Sequence, residues 1–392
     1  SGERVVDLPA GPLFEALDGA TRWLLEQLGV GSLTAEAQRL VFAPPARSPS
    51  ALEYYARAVG TAESGRLDDV RHYLMRALDY DDQYRPALAM LAEVHVRYGA
   101  AGLSPAAMYF RVLGELARRD NDPIDRAVAE LGQGTVLHLT GAFEAAYMRY
   151  ETALAISFER DAVYGQLAAI NNLANLYLTR PPPADAPQDP IRLEQFRRHN
   201  LTRAAEWQEV GLELLEQLGD VVAEAPTAGK LALTYEQLGD ADRALALHRR
   251  SLAAAERSGS RRNQASACLY LGQWYQRARR WDESLAAMRR CLELAEPQMK
   301  PAAHLAVAGT YQAMEQPGAA LEQFERAYEL LREHSDLNSQ LACVHQMAEL
   351  RMQLGRRAEA ITALQEAIEI AHALGSSEEP ALRAKLAEWK QR

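Results

Sequence analysis

The chain has 392 residues, of which 48% are hydrophobic and 24% charged, and its formal net charge is −10. That length suits two or three ordinary domains or one extended repeat array, and the apolar content excludes wholesale disorder. The acidic balance argues against nucleic acid as a default partner, and no apolar run reaches the roughly eighteen residues that a bilayer span needs.

Three cysteines, Cys268, Cys291 and Cys343, form no Cys-x-x-Cys pair and no disulfide framework. A reducing, cytoplasmic compartment is therefore preferred, with a periplasmic one open if an upstream signal or anchor has been removed. Ser1-Gly2 without a leading Met reads as the scar of an expression tag, which predicts native sequence further upstream.

Taken in chain order, "GPLFEALDGATRWLLEQLG" (11–29) has the spacing of an amphipathic helix. It is followed by "LTAEAQRLVF" (33–42) and the linker "APPARSPS" (43–50), so that residues 3–50 form an N-terminal region. From residue 51 to 375 a pattern recurs. Four segments, 230–259, 270–297, 306–334 and 346–375, each carry a small residue (Ala232, Gly272, Ala308, Ala348) three places before Tyr235, Tyr275, Tyr311 or Arg351. Two further small residues follow in each, first Ala244, Ser284, Ala320 or Ala360, then Ser251, Cys291, Ala327 or Ala367. Weaker copies run upstream through Ala58, Gly65 and Ala77, through "PALAMLAEVHV" (86–96), through Gly134, Gly141, Phe143, Ala146 and Ala153, and through "NNLANLY" (171–177).

Equivalent positions Thr61, His95, Leu137, Tyr177, Tyr235, Tyr275, Tyr311 and Arg351 are separated by 34, 42, 40, 58, 40, 36 and 40 residues, which implies eight units. The long step contains "RPPPADAPQDP", so residues from about 180 to 190 are read as an insertion between the two helices of the fourth unit. Proline cannot continue the first helix, and extended polyproline geometry is expected there. The second helix should resume near Ile191. Residues 376–392, with Pro380 in the first turn and Lys385, Lys390 and Arg392 towards the end, suit a polar capping helix.

The three recurring small positions let two antiparallel helices approach closely, and this combination resembles the tetratricopeptide repeat. The step near 40 and the Asn171-Asn172-Leu173-Ala174 opening are similar to long-helix repeats of the kinesin-light-chain type. More loosely, the first hundred residues resemble the region that follows a TolB-like domain in bacterial multidomain regulatory proteins. The resemblance implies an all-α, right-handed superhelical solenoid of about eight helix pairs with a C-terminal capping helix. It also implies a non-enzymatic scaffold in a larger bacterial signalling or regulatory protein, with a protein or peptide segment in the groove lined by first helices.

By phase, the inward candidates are Asn171, Asn175, Glu236, Gln237, Gln273, Gln276, Arg277, Gln312, His345, Glu349 and Gln353. The two asparagines stand at peptide-reading positions of the resembled family, and an amide there could equally tie one helix to the next. The lysine-rich set that grips a C-terminal carboxylate in chaperone-binding members is missing. A ligand-sensing module and a homo-oligomerisation module are the alternative functions. The proline segment is either a plain insertion or a stretch that docks onto the chain or a partner.

Between Arg243 and Arg290 stand eleven arginines and three acids, a surplus of eight positive charges within an acidic chain. Arg249, Arg250, Arg257, Arg261, Arg262, Arg289 and Arg290 are expected on successive second helices and near their ends. They form either a solvated face or a basic ridge that docks an acidic protein or a second copy. Chemistry-bearing motifs are weak. Gly132-Gln133-Gly134 has no third glycine and no preceding strand, so it reads as packing, not as a nucleotide loop. His95 and His138 fall on first helices without a metal-ligand spacing. Cys268 and Cys291 should lie side by side on one helix pair, as buried thiols or as a reactive pair. No cofactor and no metal is expected.

Overall fold

The computed structural model describes residues 46–62, 65–182, 189–333 and 336–391. The expected helices at 11–29 and 33–42, the Ser1-Gly2 scar and most of the proline segment lie outside these residues. Seventeen α-helices and no strand occur among the described residues. They are α1 (Pro49–Ala62) with α2 (Leu67–Tyr80), α3 (Arg85–Arg97) with α4 (Leu103–Arg119), α5 (Pro123–Leu139) with α6 (Phe143–Glu159), and α7 (Val163–Thr179) with α8 (Pro190–Leu218). There follow α9 (Val221–Leu238) with α10 (Ala241–Ser258), α11 (Arg261–Arg277) with α12 (Trp281–Leu294), α13 (Lys300–Ala313) with α14 (Pro317–Arg332), α15 (Leu337–Gln353) with α16 (Arg357–Leu374), and the single α17 (Glu379–Gln391). The fold is an all-α solenoid of eight pairs and a capping helix.

The chain divides into two compact units, residues 1–211 and 212–392, with the boundary inside α8. In each unit helices pack on their neighbours in sequence, and first helices of adjacent pairs also touch: α3 on α5 and α5 on α7 in the first unit, α9 on α11 and α11 on α13 in the second. A hydrogen bond between Gln312 and Gln346 joins α13 to α15 in the same way. Second helices of neighbouring pairs meet far less. Within each unit the first helices therefore line the inner side of the curve.

The small residues do what their spacing predicts. Ala58, Ala92, Ala232, Ala308 and Ala348 on first helices are fully buried, as are Ala146, Ala153, Ala244, Ala320, Ala327, Ala360 and Ala367 on second helices. Where the small residue is polar it bonds across the pair: Ser251 Oγ donates to the Ala225 carbonyl at 2.7 Å, and Ser284 Oγ to the Gly272 carbonyl at 2.9 Å. Large side chains fill the space between, with Leu74, Leu91, Leu113, Tyr150, Leu231, Met288 and Leu364 among those wholly removed from water. Each such leucine contributes about 2 kcal/mol of transfer free energy. Gly132 and Gly134 belong to this packing, because a Cβ on Gly132 would sit 2.2 Å from the Phe110 ring and one on Gly134 2.6 Å from the Tyr150 ring.

Helix starts carry their own signals. Asp122, Asp220, Asp240, Ser260 and Asp336 cap α5, α9, α10, α11 and α15 by accepting a side-chain hydrogen bond from an amide in the first turn. The turns inside the pairs share one backbone device. Seven residues beyond the buried small residue, the chain takes a positive φ at Gly65, Gly99, Gly141, Gly239, Arg279, Glu315 and Gly355. In the fourth pair that place is held by Pro181, whose ring confines φ to about −65° and forbids the turn. The backbone at Arg180 is instead extended, with φ −63° and ψ 121°, and α8 begins only at Pro190. Pro181 therefore ends α7 without the left-handed turn that the other pairs use.

Candidate functional site

In the first unit the inner face is built by α1, α3, α5 and α7. Asn171 and Asn175 lie exposed on α7, one turn apart, while Leu173, Ala174 and Leu176 of the same helix are buried. Neither asparagine side chain has a hydrogen-bond partner among the described residues, so neither serves as a tie between helices. Beside them, the Thr179 hydroxyl donates to the Asn175 carbonyl at 2.8 Å and lies 2.6 Å from His138 Nε2 of α5. Burial lowers the pKa of His138, favouring the neutral ring. His95 is likewise lowered by burial and stacks on Tyr109 of α4, with ring centres 5.6 Å apart.

Two features of this unit were not legible in the motif. Glu93, on α3, is exposed and forms no ion pair or hydrogen bond among the described residues, yet the surrounding protein desolvates it and raises its carboxyl above the usual range, with Arg97 partly offsetting the shift. At the seam of α6 and α7 an apolar cavity of about 260 Å³ is lined by Phe143, Tyr147, Met148, Leu176 and Tyr177, with the Glu144–Arg180 ion pair at its edge. The Tyr147 and Tyr177 rings meet edge to face at 6.3 Å.

In the second unit the expected open polar face is largely self-paired, and here the sequence expectation needs correction. Glu236 accepts from buried His248 at 2.7 Å and from Arg277 of the next first helix. Gln312 donates to Gln346 at 3.0 Å across α13 and α15. Lys385 of the capping helix reaches Glu349 and approaches His345 Nε2 at 3.4 Å. Gln273 and Gln276 are half-buried, the Gln276 amide lying against Gly309 of α13. Gln237 and Gln353 remain exposed. A cavity of about 570 Å³ opens beside Gln237, lined also by Leu233, Glu236, Trp274 and Arg277.

The basic ridge is similarly reduced. Buried Glu224 of α9 accepts from Arg250 at 2.8 Å and Arg257 at 2.5 Å, and Glu216 takes a second contact with Arg250 at 3.1 Å. Arg290 pairs with Glu256 at 2.6 Å, and Arg261 donates to the Glu293 carbonyl at 3.2 Å. The neutralising acids Glu216 and Glu224 precede the arginine-rich stretch in sequence, so a count within that stretch misses them. Arg249, Arg262 and Arg289 are exposed and make no ion pair among the described residues.

All three cysteines are buried and free. Cys268 and Cys291 share one apolar cluster, as their register predicts, and burial pushes both thiols up to about 11. They are packing groups with little thiolate at neutral pH.

Residues 222–296 and 342–372, which include helices of pairs five, six and eight, match family models of the tetratricopeptide repeat. The chain carries tetratricopeptide repeats over these residues, and the repeat fold is one of protein-interaction scaffolds that ordinarily carry no catalytic site. No curated protein matches it. Among solved structures, a signal transduction ATPase with numerous domains from Pyrococcus horikoshii, described as carrying a tetratricopeptide repeat sensor, superposes with a TM-score of 0.65 at 13% identity. The match covers 98% of this chain and 55% of that one, so this chain spans little more than half of that neighbour. BtubC (BKLC) from P. vanneervenii gives 0.49 at 20% identity over 60% of this chain and 92% of its own. Kinesin-light-chain repeats from Podosopora anserina give 0.39 at 19% over 46% and 93%. At 13% identity, the Pyrococcus horikoshii match shows a shared fold and nothing beyond it.

Proposed function

We propose that this protein is a scaffold that holds an extended protein segment against the inner face of its first unit, as one module of a bacterial signalling or regulatory protein. The observation that carries this reading is the pair of exposed, unpartnered amides of Asn171 and Asn175. Each offers a donor pair and an acceptor, so together they can bond the backbone of a passing strand whatever its side chains. A role within a larger regulatory protein is supported by the likeness of the first hundred residues to a region that follows TolB-like domains, and by the sensor described in the Pyrococcus horikoshii ATPase.

A second reading, a ligand-sensing module, draws on the 570 Å³ cavity beside Trp274, Gln237 and Arg277. A small molecule there would contact Arg277 and compete for the Glu236 contact that links pairs five and six. Self-association through the ridge is the weakest reading, because Arg250, Arg257 and Arg290 already have acidic partners. Selection of a random dodecapeptide phage library on the full chain tests the first reading. Specific peptides should be recovered, and an Asn171→Ala/Asn175→Ala chain should recover far fewer; equal recovery would overturn it.

A further inference from the structure

Buried Ala58, Ala92, Gly134 and Ala174 mark the same place on α1, α3, α5 and α7. The residues that follow them, Val59, Glu93, Thr135 and Asn175, therefore form one row across the first helices of the first unit. Val59 is 47% exposed, and Leu139 and Leu178 at the ends of α5 and α7 are 54% and 38% exposed. The first helices of this unit thus present exposed apolar side chains on α1, α5 and α7, and on α3 a carboxylate, Glu93, that makes no ion pair among the described residues. A carboxylate on the inner side that makes no ion pair, with the Arg97 charge one turn along only partly offsetting its desolvation, is a charge that a ligand can compensate.

We propose that the segment held by the first unit is apolar and carries one lysine or arginine that pairs with Glu93. This deepens the groove reading and rests on it. The row also sets a spacing. Helices pack about 10 Å apart, so the two steps from α3 to α7 place Glu93 about 20 Å from Asn175. An extended strand covers that distance in about six residues, so the basic residue precedes or follows the stretch contacted by the asparagines by roughly that number. The desolvation that raises the Glu93 carboxyl agrees with a site that a cation would relieve.

The test uses the full chain and a random dodecapeptide phage library as the probe, panned in parallel on the unmodified chain, Glu93→Gln, Glu93→Lys and Asn171→Ala/Asn175→Ala. Circular dichroism melts confirm that each variant is folded. Peptides recovered on the unmodified chain should show lysine or arginine enriched about ten-fold at one position flanked by apolar residues, the preference expected of one charge-assisted pair. The enrichment should vanish on Glu93→Gln and give way to aspartate or glutamate on Glu93→Lys. On the double asparagine variant, recovery should fall while the basic preference persists. Peptides without basic enrichment, or an enrichment that survives Glu93→Gln, would overturn this proposal and leave the groove reading intact. No specific recovery on the unmodified chain would overturn both.

Discussion

His248 Nε2 lies 2.7 Å from a Glu236 carboxylate oxygen, and the other oxygen of Glu236 is held by Arg277. One carboxylate thus joins both helices of pair five to the first helix of pair six. Glu236 is only 15% exposed in this arrangement and His248 not at all. Glu236→Ala leaves the buried imidazole without its acceptor and should lower unfolding free energy by about 2 kcal/mol. Gln237→Ala, one residue along and exposed, should change it by less than about 0.5 kcal/mol. Urea unfolding of the two variants checks the contrast.

Arg279 and Glu315 occupy the left-handed turn position that glycine holds in five other pairs, each with φ 58°. A side chain in that region costs about 1 kcal/mol. Glu315→Gly and Arg279→Gly should therefore raise the melting temperature by a few degrees, whereas Gly239→Ala, starting from φ 81°, should lower it.

Gly132 and Gly134 should be intolerant of a methyl group. Gly132→Ala collides with the Phe110 ring and Gly134→Ala with Tyr150, and each should cost about 2 kcal/mol or more. Gly318, where a Cβ would meet nothing within 4 Å, sits in the first turn of α14 and should accept alanine with no loss. Thermal melts read all three.

How much of this was written in the sequence follows from the range of the interactions. The pairs announce themselves because small residues such as Ala232, Ala244 and Ser251 recur at fixed local spacing and each is buried against its own partner helix. The charged contacts are different. Glu224 meets Arg250 and Arg257, 26 and 33 residues away, and Lys385 meets Glu349 across 36. These depend on how helices and consecutive pairs stack, which no local pattern encodes. For that reason Glu236, Gln312, His345 and Glu349 looked like open groove residues and are engaged by their neighbours. Asn171 and Asn175 stood in an ambiguous motif, and their exposure on α7 without a side-chain partner among the described residues, which no local pattern encodes, supports the strand-binding proposal.

The cysteines offer a chemical check on the packing. Burial holds Cys268 and Cys291 at about 11 and Cys343 at about 12. At pH 8 the folded chain should react with Ellman's reagent at none of its three thiols over minutes, and at all three once unfolded in guanidinium. Rapid labelling of native protein would show that these helix pairs open far more readily than their buried cores imply.

Whether the first unit reads a protein segment through its two asparagines is best decided by fluorescence anisotropy. One display-selected peptide is titrated against the unmodified chain, Asn171→Ala/Asn175→Ala, and Gly318→Ala as a control in the other unit. The double variant should bind at least about ten-fold more weakly, the loss of one to two net hydrogen bonds, while Gly318→Ala binds as the unmodified chain does. Equal affinity for the unmodified chain and the double asparagine variant would contradict a peptide site at these residues.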